Sequence, residues 1–300
     1  MTLNAKKADN LAQLLNASGY FRGKARIADL LGRLVNICDG ARGTFSLPDG
    51  TIIAVDLGDR IQRLMWGGAY EPHVQRCLGQ LLRPGDIFVD VGAHIGFFSL
   101  IASSLVGHTG KVYAFEANPN LFQKLQKHTT EYPWLAASCL AVWKESGSMF
   151  FSRSEERGES GWGKLTTVRN EGNIVSVQAI SLDEWHEAEE FPLVRIIKID
   201  AEGSEPFILE GARQLIARTR PIMIIELNDQ LLRDIGRPKE TVIASLRDNS
   251  YRIFGISLAA GLNEASRDTA VIPPEVLCVP SEKIEEATGL SGICIEDVGL

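Results

Sequence analysis

Cysteine is scarce in this chain of 300 residues, and the five that occur stand far apart. They are Cys38, Cys77, Cys139, Cys278 and Cys294, and no two of them form a C-x-x-C pair. An odd number of scattered cysteines predicts neither a disulfide framework nor a thiolate zinc site. We therefore expect small, buried thiols in a reducing compartment.

A long hydrophobic run is also missing. The longest nearly apolar stretch, residues 96–107, is interrupted by three serines and falls short of the roughly 18 to 20 apolar residues that a membrane-spanning helix needs. The N-terminal MTLNAKKADN is not followed by the apolar core of a secretory signal. The sequence predicts no membrane span and a cytoplasmic location.

Basic residues are outnumbered by acidic ones. Thirty-one Lys and Arg against 38 Asp and Glu give a net charge of -7, the wrong sign for a protein that neutralises nucleic-acid phosphates. We expect no nucleic-acid partner. The chain also lacks a G-x-x-x-x-G-K-[ST] run, so no phosphate-binding P-loop for ATP or GTP is predicted.

The first 66 residues differ in pattern from the rest. Helical periodicity marks residues 8–15 and 27–37, and two apolar runs, TIIAV at 51–55 and IQRLMW at 61–66, favour strands. We expect residues 1–66 to form a helical and strand cap, and residues 67–300 to form the main domain.

In the main domain, apolar strands alternate with amphipathic helices. Strands are predicted over residues 87–91, 111–116, 138–143, 194–200 and 221–227, and helices over residues 71–82, 95–105, 120–131, 205–217 and 239–248. Apolar strands separated by helices indicate a parallel sheet covered on both faces, hence a doubly wound α/β fold. The tail after residue 251 is expected to add final strands as an antiparallel edge hairpin.

One long segment breaks this alternation. Residues 152–174 are polar, rich in glycine and highly charged. A loop of this length in a compact domain is typical of a lid or substrate loop, although a solvated connection has the same composition. Trp162 in this loop is suited either to stack on a sugar ring or to pin the loop.

The most informative segment is the turn between a buried strand and a helix at residues 90–96. Gly92 and Gly96 allow a tight turn and the approach of a ligand to the helix. Glu116 ends the next strand, twenty positions after Gly96, where a carboxylate can accept hydrogen bonds from a ribose diol. Together these residues predict an adenosine-binding site.

The spacing of the glycines selects among adenosine ligands. A dinucleotide fold uses G-x-G-x-x-G, whose second glycine lets the backbone approach a pyrophosphate; counted from Gly92, that position is His94. A nucleoside without phosphates, such as S-adenosylmethionine, fits better. Asp90 is placed to hold its ammonium group, directly or through water.

Several runs of the sequence resemble the FkbM family of S-adenosylmethionine-dependent methyltransferases. They are GAYE at 68–71, VDVGAHIGFFSL at 89–100, AFEANP at 114–119, SLDEW at 181–185, IKIDAEGSEPFILEGA at 197–212 and PIMIIEL at 221–227. The resemblance covers about residues 67–228. It implies a seven-stranded class I methyltransferase fold and O-methylation of a hydroxyl in a sugar, glycan or natural product.

The resemblance also implies a set of cofactor-binding residues. Asp90, Gly92, Ala93 and Gly96 form the loop, His94 stands where the family often has Asn, and Glu116 takes the ribose. Ala117 and Asn118 flank the adenosine. Others in the implied set are Tyr70 and Glu71 of the G-x-Y-E motif, and Ala141 and Val142 beside the adenine.

An alkyl hydroxyl is a poor nucleophile, so a base or a metal ion is expected beside the cofactor. In one hypothesis Asp200 or Glu202 is the catalytic residue that accepts the proton or orients the hydroxyl. In the other, Asp200, Glu226 and Asn228 bind magnesium, calcium or manganese, similar to catechol-type O-methyltransferases. Glu202 and Glu205 are equally suited to stabilise a helix N-terminus.

Two other functions share parts of this pattern. A nicotinamide-dependent oxidoreductase would use the same sheet and Glu116, but it needs the glycine that His94 replaces. A non-catalytic nucleotide-fold binding module would tolerate loss of the site residues, yet Asp90, Glu116 and Asp200 are all present. The expected partner is a small-molecule or glycan hydroxyl acceptor. The pattern of the cap is compatible both with a cover over the acceptor pocket and with a contact in a homo-oligomer.

Overall fold

The computed structural model of the chain describes residues 5–18, 21, 23–39, 42–47, 49–153, 163–166, 174–258, 274–290 and 293–297. Most of the predicted loop, residues 154–162 and 167–173, lies outside the described residues, and so does Trp162. No helix in the described ranges is long and apolar enough to cross a membrane. Among the described cysteine side chains, Cys77, Cys139 and Cys278 are free thiols.

Fourteen strands are described. In chain order they are β1 (Arg42–Ser46), β2 (Ile52–Asp56), β3 (Ile87–Val91), β4 (Lys111–Phe115), β5 (Leu135–Ser138), β6 (Ala141–Val142), β7 (Gly147–Arg153), β8 (Gly163–Thr166), β9 (Ile174–Ile180), β10 (Val194–Ile199), β11 (Ile222–Glu226), β12 (Tyr251–Leu258), β13 (Glu275–Pro280) and β14 (Ile293–Asp297).

Twelve α-helices accompany them within the same ranges. They are α1 (Ala5–Ala17), α2 (Lys24–Asp39), α3 (Arg60–Trp66), α4 (Pro72–Leu81), α5 (Phe97–Val106), α6 (Pro119–Gln126), α7 (Leu182–Ala188), α8 (Glu205–Glu210), α9 (Arg213–Thr219), α10 (Asp229–Asp234), α11 (Lys239–Asp248) and α12 (Ile284–Thr288). Lys127–Thr130 and Ser281–Lys283 form short 3-10 helices.

The main sheet has the strand order β5-β4-β3-β10-β11-β13-β12-β14. Neighbours from β5 to β11 pair in parallel, whereas β13 runs antiparallel to both β11 and β12. The predicted doubly wound, mostly parallel α/β fold and its antiparallel edge hairpin are confirmed. In place of the seven strands implied by the resemblance there are eight, because β14 pairs with the outer side of β12.

Both faces of this sheet are buried because its central strands carry apolar residues on both sides. Successive residues of a strand face opposite sides, so Ile196 belongs to the same hydrophobic cluster as Leu100 of α5, while Ile197 belongs to a second cluster with Leu215 of α9. Helices α4 and α5 cover the first face, and α7, α8, α9 and α11 cover the second.

The cap differs from its prediction at one element. Residues 61–66 form the end of helix α3, so the predicted strand is wrong. The Asp59 side chain caps this helix by accepting a hydrogen bond from the Gln62 amide at 2.9 Å. The remainder of the cap contains helices α1 and α2 and the β1-β2 hairpin.

Two elements of the main domain are divided. The helix predicted over residues 205–217 is interrupted between α8 and α9, where a Cβ atom at Gly211 would collide with the carbonyl of Trp143. The strand predicted over residues 138–143 is likewise split between β5 and β6, and β6 belongs to a small sheet of order β6-β9-β7-β8. Strand β8 lies inside the predicted loop.

Candidate functional site

The carboxyl ends of β3, β4, β10 and β11 meet at one edge of the main sheet because these strands are parallel. Gly92, Glu116, Asp200 and Glu226 stand at or immediately after those ends. A cavity of about 250 Å³ opens there, and all four residues line it. Ligands of doubly wound folds bind at this edge.

The turn after β3 lies in close contact with the backbones of Phe115 and Asp200. The Gly92 and Ala93 amides each donate a hydrogen bond to the Phe115 carbonyl at 3.0 Å. Gly92 has a φ of +81°, and a Cβ atom there would overlap the backbone carbonyl of Asp200. Glycine is therefore required both for the backbone conformation and for this close approach.

Glu116 is held in the cavity wall by backbone amides. One carboxylate oxygen accepts from the His94 amide and the other from the Asn118 amide, each at 2.7 Å. Burial raises the pKa of Glu116 to about 7, although these two hydrogen bonds oppose the change. Each oxygen keeps a further lone pair, so the carboxylate can still accept a hydrogen bond from a ligand hydroxyl.

Asp200 belongs to a buried charged cluster. The Lys198 ammonium donates to its Oδ2 at 2.7 Å, and Asp200 and Glu226 share a hydrogen bond. Burial acts to raise the pKa of Asp200, but the Lys198 charge and the two hydrogen bonds hold it below its usual value. The negative charge of Asp200, followed by burial, raises the pKa of Glu226. The surroundings thus favour the ionised form of Asp200 and the protonated form of Glu226.

The G-x-Y-E motif enters the same cavity. Glu71 precedes α4 but makes no side-chain cap to it; its carboxylate is hydrogen-bonded with Tyr70 instead. Burial and the nearby Asp200 charge raise the pKa of Glu71 to about 7, against the lowering effect of Lys198. The Tyr70 ring packs edge-on against Phe97 at 5.5 Å.

Three non-glycine residues with left-handed backbone line the cavity. They are Glu71, His94 and Glu202, with φ values of 39°, 55° and 49°. Such conformations cost about 1 to 3 kcal/mol each and cluster at ligand sites.

The sequence pattern of the methyltransferase FkbM domain matches residues 90–253, which is more than half of the chain. This chain belongs to the FkbM methyltransferase family. The match contains β4, β10 and β11 and the last two residues of β3, the four strands that end at the cavity.

One curated relative of this FkbM chain is the hexuronic acid methyltransferase AglP of Haloferax volcanii, 29% identical over 159 residues. The match covers 53% of this chain and 62% of the relative, so the chain spans less than two thirds of that protein. A solved FkbM methyltransferase from Methylobacillus flagellatus KT is 16% identical, with a TM-score of 0.40, over 72% of this chain and 54% of that one. A precorrin-6y C5,15-methyltransferase from Geobacter metallireducens GS-15 is 12% identical, with a TM-score of 0.40, over 70% and 86%.

Most residues predicted for the FkbM site lie together around the cavity. Those that line it are Tyr70, Glu71, Gly92, Ala93, His94, Glu116, Ala117, Ala141, Val142, Asp200, Glu202, Glu226 and Asn228. Their assignment to cofactor, acceptor or metal stays a prediction.

Three predicted residues lie outside the lining. Asp90 is buried beneath the cavity loop, where its Oδ2 accepts from the Ser99 hydroxyl at 2.5 Å and its Oδ1 has no partner among the described residues. Gly96 begins α5 and packs so closely that a Cβ atom would lie 2.5 Å from Leu125 Cδ1. The Asn118 side chain caps α6. Their assignment to the cofactor likewise stays a prediction.

Two of the predicted metal ligands, Asp200 and Glu226, lie close to a third carboxylate, that of Glu202. Carboxylate oxygens of Asp200, Glu202 and Glu226 lie within 4.8 Å of one another. The Asn228 side chain instead accepts a hydrogen bond from the Leu231 amide at 3.3 Å and caps α10. Glu202 thus joins Asp200 and Glu226 in a set of converging carboxylate oxygens, and Asn228 lines the same cavity, so its assignment to a metal ion stays a prediction.

Sequence reasoning missed several lining residues. Lys198 was detectable, because a lysine inside the apolar strand VRIIKID is unusual and stands two residues before Asp200. Ile61 and Met65 of the cap also line the cavity. So do Phe151, Gly163 and Leu165 of the small sheet, of which Gly163 and Leu165 lie within the predicted substrate loop.

Proposed function

We propose that this chain is an S-adenosylmethionine-dependent O-methyltransferase whose acceptor is a hydroxyl of a sugar or glycan. The FkbM family supports methyl transfer, and the relative named a hexuronic acid methyltransferase supports a sugar acceptor. A natural-product hydroxyl is the other acceptor class that this chemistry suits.

The acidic character of the cavity lining is the main structural support for this proposal. Five carboxylic side chains line it, namely Glu71, Glu116, Asp200, Glu202 and Glu226. Among the described lining residues the only lysine or arginine is Lys198. Burial lowers the pKa of His94 to about 4, so this side chain adds no positive charge at neutral pH. Such a lining fits the cationic S-adenosylmethionine and disfavours the anionic pyrophosphate of a nicotinamide dinucleotide.

Bound S-adenosylmethionine supplies a sulfonium methyl group that is open to in-line displacement. The residues that would hold it are Gly92 and Ala93 at the turn, Glu116 at the ribose, and Ala141 and Val142 beside the adenine. The main contribution of the chain is then to align the acceptor oxygen with that methyl group.

In this scheme Asp200 binds the acceptor hydroxyl and accepts its proton. Lys198 and Glu226 hold it ionised at the cavity, where its carboxylate can accept a hydrogen bond from the acceptor hydroxyl. The hydroxyl proton would pass to that carboxylate as the methyl carbon exchanges its bond to sulfur for the bond to oxygen, so the products would be a neutral methyl ether and S-adenosylhomocysteine. Glu202, on the turn after β10, is the second candidate for this role.

Calorimetric titration with S-adenosylhomocysteine, with NAD in parallel, tests the cofactor. We expect micromolar binding of S-adenosylhomocysteine and no heat from NAD. Heat from NAD alone would favour the oxidoreductase, and no binding of either nucleotide would favour a non-catalytic module.

Acceptor oligosaccharides with and without hexuronic acids, incubated with methyl-labelled cofactor, test the acceptor class. A sugar methyl ether survives mild alkali, whereas a methyl ester of a uronic acid releases methanol. Asp200→Asn is expected to lower turnover at least about 100-fold and to leave the affinity for S-adenosylhomocysteine nearly unchanged. Unaltered turnover would remove Asp200 from the mechanism.

A further inference from the structure

Lys198 is a buried cation among acids. Its side chain is 5% exposed, and its ammonium lies 2.7 Å from Asp200 Oδ2 and 4.8 Å from the centre of the Phe98 ring. Because Lys198 and Asp200 are two positions apart along the strand direction of β10, both side chains face the same side of the sheet. The strand geometry itself thus builds the ion pair into the cavity.

The carboxylates around this ammonium form a set that would suit a metal ion. Asp200, Glu202 and Glu226 bring three oxygen atoms within 4.8 Å of one another, and hard divalent cations prefer such oxygen ligands. Converging carboxylates repel one another unless a cation or a shared proton compensates them. Here the Lys198 ammonium, 2.7 Å from Asp200 Oδ2, supplies that cation.

We propose that the Lys198 ammonium is the resident cation of this carboxylate cluster and stands in place of a divalent metal ion. Lys198 is a positioning residue: it acts through Asp200, whose carboxylate it holds against β10 and directs towards the acceptor oxygen. The part that concerns the acceptor rests on the proposed methyl transfer. The part that concerns the cation does not, because it depends only on the cluster.

The Phe98 ring strengthens this interpretation. A lysine ammonium over an aromatic face is attracted to the ring. The Lys198 ammonium is therefore held by both the Phe98 ring and the Asp200 carboxylate. These two contacts fix the position of the ammonium, so a metal ion at Asp200 would have to displace or oppose it.

Direct Mn²⁺ binding to the purified full chain, followed by electron paramagnetic resonance, tests the resident cation. The proteins are the wild type, Lys198→Met, Lys198→Gln and Lys198→Arg. The control is Lys24→Met, which removes another buried lysine that does not line the cavity. Folding is checked by thermal unfolding, and Lys198→Gln serves if the methionine variant does not fold.

We expect the wild type, Lys198→Arg and Lys24→Met to bind Mn²⁺ weakly. Lys198→Met and Lys198→Gln should bind it at least about tenfold more tightly, and Asp200→Asn added to either should abolish the gain. Stoichiometric Mn²⁺ binding by the wild type that Glu226→Gln abolishes would overturn the proposal. Equal Mn²⁺ binding by all variants would also overturn it.

Kinetics separate this proposal from the proposed function. Lys198→Met should lower kcat at least about tenfold with little change in the KM for S-adenosylmethionine, Lys198→Arg should restore part of it, and Mn²⁺ should partly rescue the methionine variant alone. Unchanged kcat in Lys198→Met would refute the positioning role. If the wild type binds no S-adenosylhomocysteine, the proposed function fails, while the Mn²⁺ comparison still decides on the resident cation.

Discussion

Gly92→Ala tests whether the turn after β3 is fixed by the contact with Asp200. Real Cβ atoms essentially never come within 3.0 Å of another heavy atom, and a Cβ at Gly92 would fall well inside that distance from the Asp200 carbonyl oxygen. The two backbones must therefore separate by about 1 Å, a displacement that can cost about 100-fold in rate when it reaches catalytic groups. Neither partner is the flexible end of a side chain, so the strain cannot be relieved locally.

The expected loss of stability has two parts. An alanine at the left-handed φ of Gly92 costs about 1 to 2 kcal/mol, and overpacking adds about 1 to 3 kcal/mol. Gly85→Ala is a matched control, since Gly85 has a similar φ of +92° and its nearest heavy atom to a Cβ lies 3.8 Å away. We expect the control to show the first part alone.

Urea unfolding of the two variants gives the stability difference, and calorimetry gives the affinity for S-adenosylhomocysteine. Gly92→Ala should unfold at lower urea than Gly85→Ala and should bind at least about tenfold more weakly, while Gly85→Ala keeps wild-type affinity. Equal stability of the two variants together with wild-type affinity of Gly92→Ala would refute the claim that this contact fixes the turn.

Two further predictions concern buried carboxyl groups. Burial raises the pKa of Glu205 to about 7 against three backbone hydrogen bonds, so the folded state binds more protons than the unfolded state from about pH 4.5 to 7, and stability falls as pH rises through that window. Glu205→Gln should remove this loss. In urea unfolding, its free energy of unfolding relative to the wild type should rise by about 1 to 3 kcal/mol between pH 5 and pH 8. A difference between the two proteins that does not change with pH would contradict the prediction. Ser99→Ala leaves the buried Asp90 without its hydroxyl donor and should lower the free energy of unfolding by about 1 to 3 kcal/mol. The control is Ser104→Ala, which removes a hydroxyl that donates to the Ile101 carbonyl and should lower stability less. Equal unfolding midpoints for the two variants would refute this prediction.

The central strands were predictable because their chemistry permits one environment only. VRIIKID and PIMIIEL are apolar on successive residues, so a strand formed by either must be buried on both faces. The short run IQRLMW carries no such constraint, since a helix and a strand both fit six residues. Asp59 decides for the helix by capping it, and that capping signal stands two residues before the run.

The site was predictable wherever parallel strands dictate it. Strands β3, β4, β10 and β11 bring Gly92, Glu116, Asp200 and Glu226 to one edge whatever the details of packing. The contributions of Ile61 and Met65 depend instead on how the cap folds over that edge, which no local pattern specifies.

The contact between Gly92 and Asp200 couples the position of Glu116 to that of Asp200. The Gly92 amide is bonded to Phe115, directly before Glu116, and the Asp200 amide donates to the Val91 carbonyl at 3.0 Å, directly before Gly92. A change at the turn therefore affects the positions of both the Glu116 and the Asp200 carboxylates, which are proposed to bind the ribose and the acceptor. Because in-line transfer requires the nucleophile and the methyl group to be aligned, a displacement at the turn should disturb both binding and transfer. Substitutions at this turn should accordingly change cofactor affinity and turnover in parallel, whereas substitutions at Lys198 should change turnover alone.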